Sequence, residues 1–247
     1  MTLPVFVVPD LGSARAGGTL DVEGEEARHA VVVRRMVPGE RVVLTDGRGA
    51  AATCEVTSTG KNRLTLQVEE VSAEPEPLPR VTVVQAVPKG DRGELAVAVL
   101  TEVGAARVVP WAAERCVAVW RGDRAAKGRA RWATTARESA KQARRAWFPE
   151  VTALHTTSEV AALVGSADLA VVLHEADGGL PLAGLTLAGV RDLVVVVGPE
   201  GGLTDAELAA LGAAGATTVR LGSEVLRTST AGVAAVAALL SRTPRWG

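Results

Sequence analysis

The chain has 247 residues, of which 47% are hydrophobic and 22% charged, and a formal net charge of −1. That balance describes an ordinary globular protein and argues against a disordered or fibrous one. Two widely spaced cysteines, Cys54 and Cys116, with no Cys-x-x-Cys, argue against a disulfide framework or a zinc site.

The first residues, MTLPVFVVPD, lack the basic-then-apolar pattern of a signal peptide, and no apolar run is long enough to span a membrane. A reducing cytoplasm is therefore the expected compartment. The length suits two unequal domains.

Residues 1–72 read as a small β-barrel with one or two helices. Apolar or alternating runs at Val5–Val8, Arg41–Leu44, Ala52–Val56 and Leu64–Val68 predict strands, and Asp46-Gly47 predicts a hairpin turn. A helix is expected from Glu25 to Met36, ended by Pro38-Gly39. The stretch Glu74-Pro75-Glu76-Pro77-Leu78-Pro79 predicts a stiff linker over 73–80.

From residue 81 to 247, strands expected at 81–86, 107–110, 151–154, 169–173, 193–197 and 217–221 alternate with helices at 92–103, 124–147, 158–164, 204–213 and 229–241. That alternation predicts an α/β domain with a mostly parallel sheet covered on both faces. The last helix, Ala231 to Leu240, is small and apolar all round, which predicts burial, including in a dimer interface.

Charge is unevenly placed. Nine basic residues lie between Arg121 and Arg145 against only Asp123 and Glu138, a pattern that suits either phosphate binding or a solvated helix face. On a continuous helix Arg137, Lys141 and Arg144 share one face. Trp111, Trp120, Trp132 and Trp147 fall in the same region; they suit base stacking, although core anchoring is the commoner use.

Two segments carry the chemistry. Val197-Gly198-Pro199-Glu200-Gly201-Gly202 follows a buried-looking Val run and precedes the capping-box start Thr204-Asp205-Ala206-Glu207. Leu221-Gly222-Ser223-Glu224-Val225-Leu226-Arg227-Thr228 follows the last strand and precedes a helix capped within Thr228-Ser229-Thr230. Open α/β sheets bind ligands beyond the carboxyl ends of their strands, so both loops should face one crevice. Three glycines in the first loop exceed what a tight turn needs and expose backbone amides. The loop has no lysine and the chain has no G-x-x-x-x-G-K-[ST], so an adenosyl ligand fits better than a triphosphate. Arg227 stands where it opposes a helix dipole, which favours a role on phosphate or an electron-rich base. No nucleophilic triad or metal-ligand cluster is legible. Of His29, His155 and His174, only His174 ends a strand beside the crevice.

These residues resemble the RsmE family of SPOUT-class rRNA methyltransferases. Gly198-Pro199-Glu200-Gly201-Gly202 with Glu207 is similar to the family's first cofactor loop. Leu221-Gly222 and Val225-Leu226-Arg227-Thr228 are similar to its second. His29, Arg35-Met36, Gly39, Glu102, Gly104, Glu114-Arg115-Cys116, Gln142, Arg145 and Pro149 extend the likeness along nearly the whole chain.

The resemblance implies a PUA-like barrel followed by a trefoil-knotted α/β domain, and a homodimer. It implies S-adenosylmethionine as methyl donor and N3 of a uridine near the decoding site of 16S ribosomal RNA as acceptor, with no metal. It places the cofactor among Leu173-His174-Glu175, Val197 to Gly202 and Leu221 to Thr228. The basic segment and the N-terminal barrel are the expected phosphate anchors, with RNA contacts from Arg35, Arg137, Lys141, Arg144 and Arg145, although Lys141 stands where many relatives have an acid. Because the chain has Glu224 and Ser229 where many relatives have Arg and Glu, no role is carried over to position 229.

Uridine N3 must lose a proton on methylation, so a base and stabilisation of developing charge are needed. Arg227 is the candidate for the charge. Glu200 is the first candidate for the base and Glu224 the second, with loop ordering as the alternative role for Glu200. Competing functions are a SPOUT enzyme acting on another RNA such as tRNA, and a non-catalytic RNA-binding or ribosome-assembly factor. The missing dinucleotide fingerprint disfavours an oxidoreductase.

Overall fold

A computed structural model describes residues 3–175 and 179–246. It divides into two compact units. One runs up to Glu76 and includes Lys141–Phe148; the other comprises Pro77–Ala140 and the chain from Pro149 onward.

The first unit holds β1 (Val5–Val7), β2 (Thr19–Glu23), α1 (Gly24–Arg28), β3 (Arg41–Thr45), β4 (Ala50–Thr59) and β5 (Arg63–Ala73). The strands form one sheet in the order β1-β3-β4-β5-β2, antiparallel apart from the β1–β3 pair. Period-2 alternation turns Ala52, Cys54 and Val56 of β4 and Leu64, Leu66 and Val68 of β5 into the core. Strand β2 was not legible beforehand, because its sequence, TLDVE, buries only Val22. The helix expected over 25–36 is shorter: α1 stops at Arg28, and a π-helical turn carries the chain through His29–Val33. Three consecutive valines, poor helix formers, end the regular α-helix there.

At the predicted Asp46-Gly47 turn, Asp46 Oδ1 accepts from the amides of Arg48 (2.7 Å) and Ala50 (3.1 Å), and Gly47 has φ +68°. Residues 146–148 pack here. Gly49 N donates to Ala146 O at 3.0 Å, Phe148 N to Gly47 O at 2.8 Å, and Trp147 Nε1 to Glu74 O at 2.9 Å. A Cβ on Gly49 would lie 2.7 Å from Trp147 Nε1, so the approach requires glycine.

The second unit holds β6 (Arg80–Ala86), α2 (Arg92–Val103), β7 (Arg107–Trp111), α3 (Asp123–Gln142, its last two residues counted with the first unit), β8 (Glu150–Val151), α4 (Thr157–Gly165), β9 (Leu169–Leu173), β10 (Leu180–Pro181), β11 (Asp192–Val197), α5 (Asp205–Ala213), β12 (Thr217–Arg220) and α6 (Thr228–Leu240). Its seven strands are all parallel, in the order β10-β12-β9-β11-β6-β7-β8. The continuous Val run of β11 reflects burial on both faces. Val195 and Val197 join α2, α3 and α6 in one core, while Val194 and Val196 join α4 and α5 in the other. Strand β8 is shorter than the expected 151–154, and the two-residue β10 escaped the pattern. Among the described residues no helix is long and apolar enough to cross a membrane.

Helix α6 buries Ala231, Gly232, Ala235, Val236, Leu239 and Leu240, and within 231–240 only Ala238 is exposed. One expectation about the helices needs correction. Helix α3 ends at Gln142, not at 147, and Arg144 has φ +53°, so Arg137, Lys141 and Arg144 do not lie on one helical face. Lys141 is also withdrawn from solvent. Its ammonium pairs with Glu26 at 3.3 Å, and the two side chains are only 10% and 13% exposed. Lys141 is thereby a brace of the first unit. Lys141→Ala should destabilise that unit by about 3 kcal/mol, because Glu26 would keep a largely desolvated charge without this partner. Urea denaturation followed by Trp147 fluorescence measures the effect; an unchanged midpoint would show that the pair is not a brace.

Candidate functional site

In the sheet, β12, β9, β11 and β6 are successive neighbours. All point the same way, so the loops after Leu173, Val197, Arg220 and Ala86 emerge at one edge. The first three enclose a cavity of about 370 Å³ lined by Leu173–Glu175, Val197–Leu203 without Gly201, and Val219–Thr228, together with Arg92 of α2 and Ala231 of α6. Of the cofactor residues named from sequence, Leu173, His174, Glu175, Val197, Gly198, Pro199, Gly202, Leu221, Gly222, Val225, Leu226 and Thr228 line this one space. Gly201 stands behind it: a Cβ there would lie 3.0 Å from Arg115 Cβ and 3.1 Å from Arg115 O.

The two loops are tied to each other at their bases. The Thr228 hydroxyl donates to Gly198 O at 3.1 Å instead of capping α6, whose N-cap is Arg227. Gln85, fully buried on β6, donates from Nε2 to Thr228 O at 3.3 Å and to Ala86 O at 3.1 Å. Gln85 Oε1 has no hydrogen-bond partner among the described residues. Gly198 itself is constrained, since a Cβ on it would lie 3.0 Å from Leu203 Cδ2. Gly202 has φ +72°, the left-handed region glycine enters without strain.

A second set of bonds fixes the far end of the first loop. Thr204 and Glu207 form the predicted capping box, and the 3% exposed Glu207 carboxylate also accepts from Glu114 N at 2.8 Å. Arg115 donates to Gly201 O and Leu203 O, both at 3.3 Å. Glu114-Arg115 thus clasps the glycine loop from the neighbouring β7 loop, a connection that needs the strand order and cannot be read along the chain.

Arg227 is exposed at the mouth of the cavity, at the first turn of α6. Glu200 is engaged: its Oε1 accepts from Lys89 N at 3.3 Å and pairs with Arg92 Nη1 at 3.5 Å. This geometry favours loop ordering over proton abstraction for Glu200. Arg92 was missed from sequence because it starts α2, and only the adjacency of β6 to β11 brings it to the site.

Burial pushes the Cys54 thiol up to about 11 and raises Cys116 as well, so neither is a ready thiolate at neutral pH. Of the basic residues named from sequence, Arg35, Arg137 and Arg144 are exposed and Arg145 is partly buried; Arg35 shares with Arg144 a left-handed backbone, at φ +54°. Lys141, paired as described, is not presented to a ligand.

Glu207→Ala removes the cap and leaves the amides of Thr204 and Glu114 without their acceptor, which should cost about 2–3 kcal/mol. Glu207→Gln, which retains an acceptor oxygen, should cost less. Thermal unfolding of the two variants checks this; equal midpoints would remove Glu207 as the clasp.

The sequence of the RNA methyltransferase domain family matches residues 74–240, and that of the RNA methyltransferase PUA domain family matches residues 22–69. The chain is 42% identical over 250 residues to ribosomal RNA small subunit methyltransferase E of Mycobacterium tuberculosis, covering 100% of this chain and 93% of the relative. It is 33% identical over 232 residues to the Bacillus subtilis protein of the same name, covering 91% of each. Its fold is similar to a crystal structure of ribosomal RNA small subunit methyltransferase E from Neisseria gonorrhoeae bound to S-adenosyl methionine. That similarity has a TM-score of 0.87 at 29% identity and covers 97% of this chain and 98% of the other. With both domain families matched in order and close relatives aligned along its full length, the chain belongs to the ribosomal RNA small subunit methyltransferase E family.

Proposed function

We propose that the protein transfers a methyl group from S-adenosylmethionine to N3 of a uridine in 16S ribosomal RNA near the decoding site. The observation that carries the reading is the cavity of about 370 Å³ framed by two glycine loops and lined without a single lysine. Its apolar walls, Leu173, Val197, Leu221, Val225, Leu226 and Ala231, suit the adenosyl ring. The amides of the loops suit its polar edge and the amino-acid tail. At Gly222 a Cβ would meet only Glu224 Oε2, at 3.5 Å, so a side chain there would stand in open space at the cavity instead of packing. The absence of lysine disfavours a triphosphate in the same space.

Bound there, S-adenosylmethionine supplies an electrophilic methyl group on a sulfonium. The protein's share is placement, charge and a proton acceptor: the loops hold the donor, exposed Arg227 meets the carbonyl oxygens of the uracil, and Glu224, which also lines the cavity, takes the proton that N3 loses. Glu200, tied to Lys89 and Arg92, is a positioning residue that keeps the glycine loop in shape. Exposed Arg35 and Arg137 are read as phosphate contacts, and the open side of α6 as the face that meets a second copy of the chain.

Labelled methyl transfer to small subunits lacking the modification, with naked rRNA and tRNA in parallel, tests the reaction. Label at one N3-methyluridine on the small subunit is expected; label on tRNA alone would overturn the target. In single turnover, Arg227→Ala should be about 100-fold slower with unchanged cofactor affinity. Glu200→Gln should stay within about tenfold of wild type, and a loss as large as that of Arg227→Ala would make Glu200 the base. Arg137→Ala should reduce the slope of log affinity for RNA against log salt by about 1, and an unchanged slope would take Arg137 out of the RNA footprint.

A further inference from the structure

A second cavity, of about 290 Å³, lies against the loop that joins β6 to α2. Its walls include Pro88, Glu94, Ala118, Trp120, Arg131 and Trp132. The Trp120 and Trp132 rings meet edge to face with centroids 5.0 Å apart. Two glycines seat them. A Cβ on Gly93 would lie 2.7 Å from Trp132 Nε1, and a Cβ on Gly128 would lie 2.5 Å from Trp120 Cε2 and Cζ2. Gly128 sits inside the 20-residue helix α3, where glycine is a poor helix former, so its place is explained by the ring and not by the helix.

A purely structural tryptophan pair would bury both rings and satisfy both N–H groups. Trp132 is 1% exposed, but Trp120 remains partly open. The indole N–H groups of Trp111 and Trp147 donate to Thr157 and Glu74, whereas those of Trp120 and Trp132 donate to no described residue. Polar groups of both signs complete the walls: Glu94 and Arg131 pair at 3.3 Å and are 28% and 68% exposed. Val117 and Val119, 62% and 53% exposed, flank Ala118, and exposed Arg121 and Arg124 follow in the chain. Exposed apolar side chains, a partly open indole, donors, an acceptor and nearby arginines match a nucleobase and its phosphate.

We infer that this cavity holds an unstacked base of the RNA substrate, one neighbouring the base that enters the methyl-transfer cavity. The two cavities adjoin at the start of α2: Arg92 and Glu200 line the first, Gly90, Gly93 and Glu94 the second, and Glu200 accepts from Lys89 N and pairs with Arg92 between them. The inference rests on the reading of the protein as an RNA-modifying enzyme and names a second nucleotide subsite for it.

Equilibrium binding of a single-stranded fragment of small-subunit rRNA to the full-length protein tests it without relying on turnover. Ala118→Trp fills the cavity without removing a packed side chain, and Trp120→Ala removes the stacking face; each should weaken RNA binding about tenfold. Trp120→Phe should restore most of the affinity, and S-adenosylmethionine binding should be unchanged in all three. RNA affinity within twofold of wild type in both Ala118→Trp and Trp120→Ala would overturn the subsite, as would failure of the wild type to bind the fragment. Uridine or adenosine monophosphate binding at the same affinity as the fragment, lost in Ala118→Trp, would assign the cavity to a free nucleotide and overturn the RNA reading. RNA binding that depends on the cavity in a protein that methylates nothing would leave the subsite standing and remove the proposed reaction.

Discussion

The hydroxyl of Thr228 donates to the carbonyl of Gly198, and the carbonyl of Thr228 accepts from Gln85 Nε2. These two bonds, with Gln85 fully buried and Thr228 only 7% exposed, join the end of β6, the first glycine loop and the start of α6 at one point. Each loop by itself is rich in glycine and has little reason to hold one shape, since glycine gives up the most backbone freedom on ordering. Buried polar groups must be bonded, so the tie defines one arrangement of the two loops in which both are satisfied. The cavity between them exists because that arrangement separates their tips while joining their bases.

The rest of the site radiates from this constraint. Arg227 reaches the mouth because Thr228 is turned inward and α6 begins where it does. On the opposite side the glycine loop is held by Arg115 and by Glu207, whose one carboxylate serves a helix cap and a neighbouring loop at the same time. Glu200 is held by Lys89 N and by Arg92 at the start of α2, where the linings of the two cavities adjoin. Side chains that looked like chemistry in isolation thus divide into those free to meet a ligand and those already committed to holding the loops.

Much was legible along the chain where physics is local. Turn chemistry at Asp46-Gly47 and the capping box of Thr204 and Glu207 formed as read, because each depends on residues within four positions. The Val run of β11 announced a strand buried on both faces, and the two glycine loops announced a ligand edge. Misreadings fell where local preference meets a competing surface. The sequence predicts that helix α3 continues to residue 147, but Ala146 and Phe148 bond instead to Gly49 and Gly47 of the hairpin, and Trp147 bonds to Glu74 O. The same change of direction dissolves the apparent basic face, and Lys141, still on the helix, is paired with Glu26. Nothing in the spacing of Arg137, Lys141 and Arg144 distinguishes a helix that ends from one that goes on.

What the sequence determined by itself was most of the elements, their α/β alternation, the family and the edge where a ligand sits. Those follow from side-chain periodicity and from glycines whose freedom has a local purpose. Only the tertiary structure decided which strand ends are neighbours, and with that the partners of Glu200, the clasp of Glu114 and Arg115, the buried tie at Gln85, and the pairing of Trp120 with Trp132. Strand order is set by the global packing of helices on both faces of the sheet, and contacts made across folded elements leave no periodic trace in the chain that makes them.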